Sequence, residues 1–167
     1  MKNGLWRLAP GPVLLLLLVG CSPAMEWTAV RTMVSTAFPA VEQVSTDSLA
    51  SMLAAGQSIH LLDVRTEDEF RVSHLPGATH IDPDETQFGA LPKGATIVAY
   101  CSVGYRSSAL ADRLQDAGFK VINLEGSIFQ WANEGRPLED ANGPATKVHA
   151  FDKTWGKLLN KELRTGL

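Results

Sequence analysis

The chain has 167 residues, of which 45% are hydrophobic and 20% charged, a balance that suits one folded domain of ordinary size and excludes a largely disordered chain. Its 15 Lys and Arg stand against 18 Asp and Glu, and the resulting net charge of −3 gives no global attraction to nucleic acid. No nucleic-acid partner is expected, and function must reside in particular stretches.

The N-terminal segment carries the cations Lys2 and Arg7 and continues into the apolar run P-V-L-L-L-L-L-V, which is too short to span a bilayer. That is the form of a secretory signal peptide, here residues 1–20. Its end, Leu18-Val19-Gly20-Cys21, resembles the bacterial lipobox, in which cleavage before the cysteine leaves a lipid-modified N-terminus. The resemblance implies a membrane partner through a lipid anchor on Cys21. With Ser22 following, it implies the periplasm-facing outer membrane of a two-membrane bacterium. An ordinary signal peptide with an incidental cysteine is the alternative. Residues 21–40 are expected to be the lipidated N-terminus and a tether, within which Trp27, Val30, Met33 and Val34 have near-helical spacing.

Val41 to Val44 reads as a short strand, followed by a helix over Asp47 to Ala55 that Ser45 or Thr46 can cap and Gly56 can end. Ser58 to Val64 reads as a buried strand, and the acid-rich R-T-E-D-E-F after it as the start of a short helix. His74 to Ile81 has a Pro-Gly turn leading into an extended run, and residues 82–94 form a polar loop. Ala95 to Tyr100 is a further buried strand. Ser107 to Gly118 is a helix with Leu110, Leu114 and Ala117 on one face, Ser107 as its cap and Gly118 as its end. Lys120 to Leu124 is another strand, and Gly126 to Gly135 a turn and short helix in which Ile128, Trp131 and Ala132 share an apolar face. Alternating strands and helices imply an α/β fold: a small, open, mainly parallel five-stranded sheet with helices on both faces.

Between the strand ending at Tyr100 and the next helix lies C-S-V-G-Y-R-S, residues 101–107. A strand–loop–helix junction converges backbone N–H groups on a point, and the helix dipole there favours negative charge. The chain has two cysteines, so lipid on Cys21 would leave Cys101 without a disulfide partner in the chain. Cys101 is therefore a candidate reactive thiol, in surroundings that lower thiol pKa. A buried, inert cysteine is the alternative.

Asp63-Val64-Arg65, Glu69-Phe70, His74 to Ala78, Cys101 to Ser107, and Gly126 through Trp131 to Gly135-Arg136-Pro137, taken together and in this order, resemble a rhodanese-like domain over residues 41–141. The resemblance implies sulfane-sulfur transfer through a persulfide on Cys101, from a small anionic donor such as thiosulfate to cyanide or a thiol. It implies no metal and no other cofactor. The loop residues Ser102, Val103, Gly104, Tyr105, Arg106 and Ser107 would steady the thiolate and the persulfide through N–H groups, the helix dipole and the Arg106 cation. Position 102 is Ser where many thiosulfate-using members carry a basic residue, which leaves the donor open.

Asp63 and Arg65 are expected to orient one another or nearby loops, with substrate contact by Arg65 the lesser alternative. Glu69 reads as a helix-terminus acid, and His74 as a turn residue bonded to backbone. Residues 142–167 form a C-terminal amphipathic extension, with Phe151, Trp155, Leu158 and Leu159 on an apolar stripe and Lys153, Lys157, Lys161 and Arg164 on a basic one. A helix docked on the domain is favoured over one lying on a membrane. Two other function classes remain: a non-catalytic or redox-sensing domain, and a cysteine phosphatase. The tyrosine phosphatase pattern places five residues between Cys and Arg, whereas this chain has four.

Overall fold

The computed structural model describes residues 23–166. The expected signal peptide and Cys21 lie outside the described residues. Five strands form one sheet in the order β1-β5-β4-β2-β3, and every pairing in it is parallel. In chain order these are β1 (Gln43–Val44), β2 (Ile59–Asp63), β3 (Thr79–His80), β4 (Thr96–Tyr100) and β5 (Lys120–Leu124). The five-stranded α/β architecture expected from the sequence is the one observed.

Period-two alternation sends successive side chains of each strand to opposite faces. On β4, Ile97 and Ala99 enter one apolar cluster, with Leu110, Ala111 and Leu114 of the helix α4 (Tyr105–Asp116). Val98 and Tyr100 enter the other, with Leu49 of α2 (Thr46–Ala54) and Ile128, Phe129 and Trp131 of α5 (Ser127–Asn133). Helices thus cover both faces, and β4 is the central strand.

Local caps account for several boundaries. Ser45 caps α2, its hydroxyl accepting from the Ser48 N–H at 3.1 Å. Thr66 and Glu69 form a reciprocal capping box at the start of α3 (Glu67–Val72). The helix α4 begins two residues earlier than the sequence suggests: Gly104 is its cap, at φ 108°, and the Ser107 hydroxyl is not a cap but donates to Asn123 Oδ1 at 2.6 Å.

The segments flanking this frame differ from expectation. Where a tether with a short helix was expected, residues Pro23–Ala37 form one helix, α1, whose Val30 and Val34 are buried in the same cluster as Tyr100 and Ile128. Its placement follows from its own apolar face: Val30 and Val34 stand four apart, on one side of a helix.

The C-terminal extension is not one amphipathic helix. After a hairpin of β6 (Leu138–Asp140) and β7 (Gly143–Ala145), it consists of β8 (Val148–His149), two 3-10 turns (Trp155–Leu158 and Lys161–Leu163) and β9 (Arg164–Thr165), which pairs with β8. Asp152 explains the break, because its carboxylate accepts from the N–H groups of Thr154 and Trp155, both at 2.7 Å, and holds a turn in place of a helix. The extension is docked on the domain. Val148, Ala150 and Leu159 are buried, and Asn133 of α5 clamps it by donating to Leu158 O and accepting from the Asn160 N–H, both at 2.7 Å. No described helix is long and apolar enough to cross a membrane.

Candidate active site

Cys101 follows the last residue of β4, at the carboxyl end of the central strand, where open parallel sheets place their ligands. The junction is held from below by the start of α5. The Cys101 N–H donates to Ser127 Oγ at 3.1 Å, Ser127 passes its own proton to Leu124 O at 3.0 Å, and the N–H groups of Ile128 and Phe129 donate to the carbonyls of Cys101 and Ser102. Ser127 does this from a left-handed backbone, φ 48°, an uncommon conformation for a residue with a side chain. Its role was not legible in the sequence.

Gly104 is required for two reasons. Its φ of 108° favours glycine, and a Cβ there would lie 3.2 Å from Asn123 Nδ2. That backbone turns the Gly104 N–H onto Cys101 Sγ at 3.2 Å. Burial raises the pKa of the thiol, but the Arg106 charge, the hydroxyl and N–H of Ser107 and the Gly104 N–H together bring it below the ordinary value. Because the single Ser107 hydroxyl proton is given to Asn123, the N–H groups and Arg106 are the sulfur's main stabilisers.

Arg106 does not stand free to receive an anion. Its Nη1 and Nη2 each donate to Glu69 at 2.8 Å, in a fork-to-fork pair, and Nη2 also reaches Ser102 Oγ at 3.1 Å. Ser102 in turn donates to Glu69 Oε1 at 3.1 Å, so the residue found where a basic side chain is common is spent on this cluster. Burial alone would raise the Glu69 pKa, but the bonds and charge of Arg106, the Thr66 N–H and the charge of Arg65 lower it to about 2. Glu69 is therefore both the expected helix-terminus acid and the partner of Arg106, a second role its spacing did not disclose.

Above the sulfur is a cavity of ≈ 410 Å³. Cys101, Ser102, Val103 and Arg106 form its floor, and Met33 and Ala37 of α1, Tyr105, and Phe151 and Trp155 of the C-terminal extension form its walls. Phe151 holds a left-handed backbone, φ 64°, and its ring lies over the Arg106 guanidinium at 4.8 Å from the centroid. Tyr105, 43% exposed, meets Phe38 edge-on at 5.1 Å.

The remaining expected site residues lie elsewhere. Asp63 and Arg65 are fully buried and paired, with Arg65 Nε on Asp63 Oδ1 at 3.0 Å and Nη2 on Oδ2 at 2.7 Å, and Arg65 also donates to Ser73 O. Neither lines the cavity, so the pair orients the loops after β2 and α3 and makes no substrate contact in this arrangement. Arg65 has its pKa raised: burial alone would lower it, and the facing Asp63 carboxylate outweighs that. His74 holds Phe70 O at 3.1 Å through Nδ1, as a turn residue would. Trp131 is a core residue, 3% exposed.

The rhodanese-like domain family model matches residues 45–134, more than half of the chain. A sulfurtransferase of Allochromatium vinosum is 32% identical over 108 residues, covering 62% of this chain and 99% of that protein. The thiosulfate sulfurtransferase GlpE of Coxiella burnetii is 30% identical over 93 residues, covering 54% of this chain and 86% of its own length. Among solved structures, a rhodanese-like domain protein of Staphylococcus aureus superposes with a TM-score of 0.53 at 27% identity, over 60% of this chain and 98% of that one. Both α1 and the extension from β8 onward fall outside the matched residues, whereas Cys101, Arg106, Glu69 and Ser127 fall inside them. This chain belongs to the rhodanese-like domain family.

Proposed function

We propose that the protein is a sulfurtransferase that carries a sulfane sulfur as a persulfide on Cys101. The observation that carries this reading is the sulfur's setting: a thiol of lowered pKa, contacted by the Gly104 N–H at 3.2 Å and opening onto a cavity. The Cys101 thiolate attacks the outer sulfur of a donor, a new S–S bond forms, the donor's own bond to that sulfur breaks, and its electron pair leaves with the remainder of the donor. With thiosulfate the remainder is sulfite. A thiol or cyanide then attacks the outer sulfur of the persulfide, and the Cys101 thiolate departs as leaving group.

The N-terminal helix dipole of α4 and the converging N–H groups favour the anionic states on both sides of this exchange. The six-residue ring from Cys101 to Arg106 supports sulfur transfer over phosphatase chemistry, since a tetrahedral phosphoryl group on the sulfur needs a wider ring. The expected test is a mass gain of one sulfur on Cys101 after exposure to a sulfane donor, reversed by cyanide and absent in Cys101→Ser, with no aryl phosphate hydrolysis. Phosphate release that requires Cys101, without any sulfur gain, would replace this reading by the phosphatase.

The site is proposed to work at a membrane surface through lipid on Cys21, facing the periplasm. Cys21→Ala expressed with its own leader should leave the membrane fraction; retention there would mean a different tether.

A further inference from the structure

Charge and polarity are divided unevenly around Cys101. The floor holds one cation, Arg106, and that cation is matched by Glu69, which accepts both of its terminal nitrogens at 2.8 Å. When Cys101 is a thiolate the floor therefore carries a net negative charge, and among the described residues no other charged side chain lines the cavity. A small dianion such as thiosulfate entering here gives up hydration and meets no unpaired cation. The walls offer something else: the side chains of Met33, Trp155 and Phe151, and the aromatic body of Tyr105.

Phe151 strengthens the case. A bulky residue at φ 64° is strained, and here the strain sets a ring, 43% exposed, against the Arg106 guanidinium at the cavity edge. The ring covers a face of the cation that a small anion would otherwise approach. Met33, Phe151 and Trp155 come from α1 and the C-terminal extension, outside the residues matched by the family model, whereas Tyr105 lies inside them, so most of the apolar wall stands beyond the matched frame.

We propose that the cavity over Cys101 takes an organic sulfane donor, with a terminal sulfur on an aliphatic or aromatic body, in preference to thiosulfate. The inference rests on the sulfurtransferase reading. The terminal sulfur lies at the Gly104 N–H and the α4 N-terminus, and the body lies against Met33, Phe151 and Trp155, where burying apolar surface favours binding. For a hydropersulfide, Cys–S⁻ + R–S–SH gives Cys–S–SH + R–S⁻. For an organic thiosulfonate, Cys–S⁻ + R–SO₂–S⁻ gives Cys–S–S⁻ + R–SO₂⁻. In each case one S–S bond forms, one bond to the transferred sulfur breaks, and the electron pair leaves with the thiolate or sulfinate.

The stable probes are thiosulfate, methanethiosulfonate and benzenethiosulfonate, with sulfur gain on Cys101 followed by mass and cyanide as acceptor. The kcat/KM for benzenethiosulfonate should exceed that for methanethiosulfonate by about tenfold or more, and both should exceed that for thiosulfate. In Phe151→Ala and Trp155→Ala, examined singly, the ratio of benzene to methane donors should fall several-fold. Phe151 is half-exposed, and its replacement removes no core contact that the fold depends on. Sulfur gain from every donor with a flat ratio, or with thiosulfate preferred, would overturn the substrate class and leave the sulfurtransferase standing. No sulfur gain from any of the three would overturn both.

Discussion

Two carboxylate–arginine pairs whose carboxylates, Asp63 and Glu69, lie close to one another in the chain do different things. Asp63 and Arg65 are sealed, with neither side chain exposed, while Glu69 and Arg106 have side-chain exposures of 3% and 24%. The sealed pair bonds to itself, with Arg65 also donating to Ser73 O, and it fixes two loops. The half-open pair ends at the cavity floor, where Arg106 acts on the Cys101 sulfur. Similar chemistry is thus structural where water is excluded and electrostatic where one partner reaches the site. The difference lies in what each arginine faces once its carboxylate is satisfied.

The largest effect should come from breaking the sealed pair. Asp63→Ala leaves Arg65 buried and uncompensated and should cost about 3–5 kcal/mol, read from urea unfolding. A loss no greater than that of an exposed pair would erase the contrast. Arg106→Ala should cost less stability, about 1–3 kcal/mol, because a cavity adjoins the vacated place and water can reach Glu69. Its distinctive effect is on the thiol: the Cys101 pKa should rise, shifting the pH midpoint of alkylation by iodoacetamide upward. An unmoved midpoint would make Arg106 as purely structural as Arg65.

The same variant sharpens the comparison in acid. The Glu69 pKa is lowered from 4.5 to about 2, so the pair contributes stability that is fully present above pH 4.5 and is lost as pH falls toward 2. In Arg106→Ala the Glu69 pKa should rise toward its unfolded value, so the variant should lack this contribution already at neutral pH and lose less stability between pH 4.5 and 2; urea midpoints measured across this range would show the flatter dependence. The smallest effect is expected from Ser107→Ala, which removes the bond to Asn123 and should cost about 1 kcal/mol with little change in the alkylation midpoint. A large rise in that midpoint would mean that the hydroxyl serves the sulfur and not Asn123.

The frame was legible because its signals are local. The β-branched runs at Thr96–Tyr100 and Lys120–Leu124, the acid-rich start of the helix at Glu67 and the terminating Gly118 each act within a few residues of where they stand. The Cys101 loop was legible for the same reason, as a strand end, a glycine and a helix start in succession. What remained hidden depends on distant partners. Glu69 reads as a helix-terminus acid, but its pairing with Arg106 spans 37 residues. Ser107 looks like a cap until Gly104 takes that position and Asn123 claims the hydroxyl. The apolar stripe of Phe151, Trp155, Leu158 and Leu159 was visible, but periodicity says that a face is apolar and not what it faces. Asp152, which the sequence pattern does not single out, breaks the helix that the stripe suggests.

The walls over Cys101 bring together Met33 and Trp155, which lie more than a hundred residues apart in sequence, whereas the floor is made within one turn of chain. Joining such remote segments costs more loop-closure entropy than forming the floor. Floor and walls are thus separable. A chain in which the two flanking segments stood apart would keep the nucleophile in its loop but leave it unroofed, open to oxidants and to any thiol in its surroundings, and it is their meeting that encloses it.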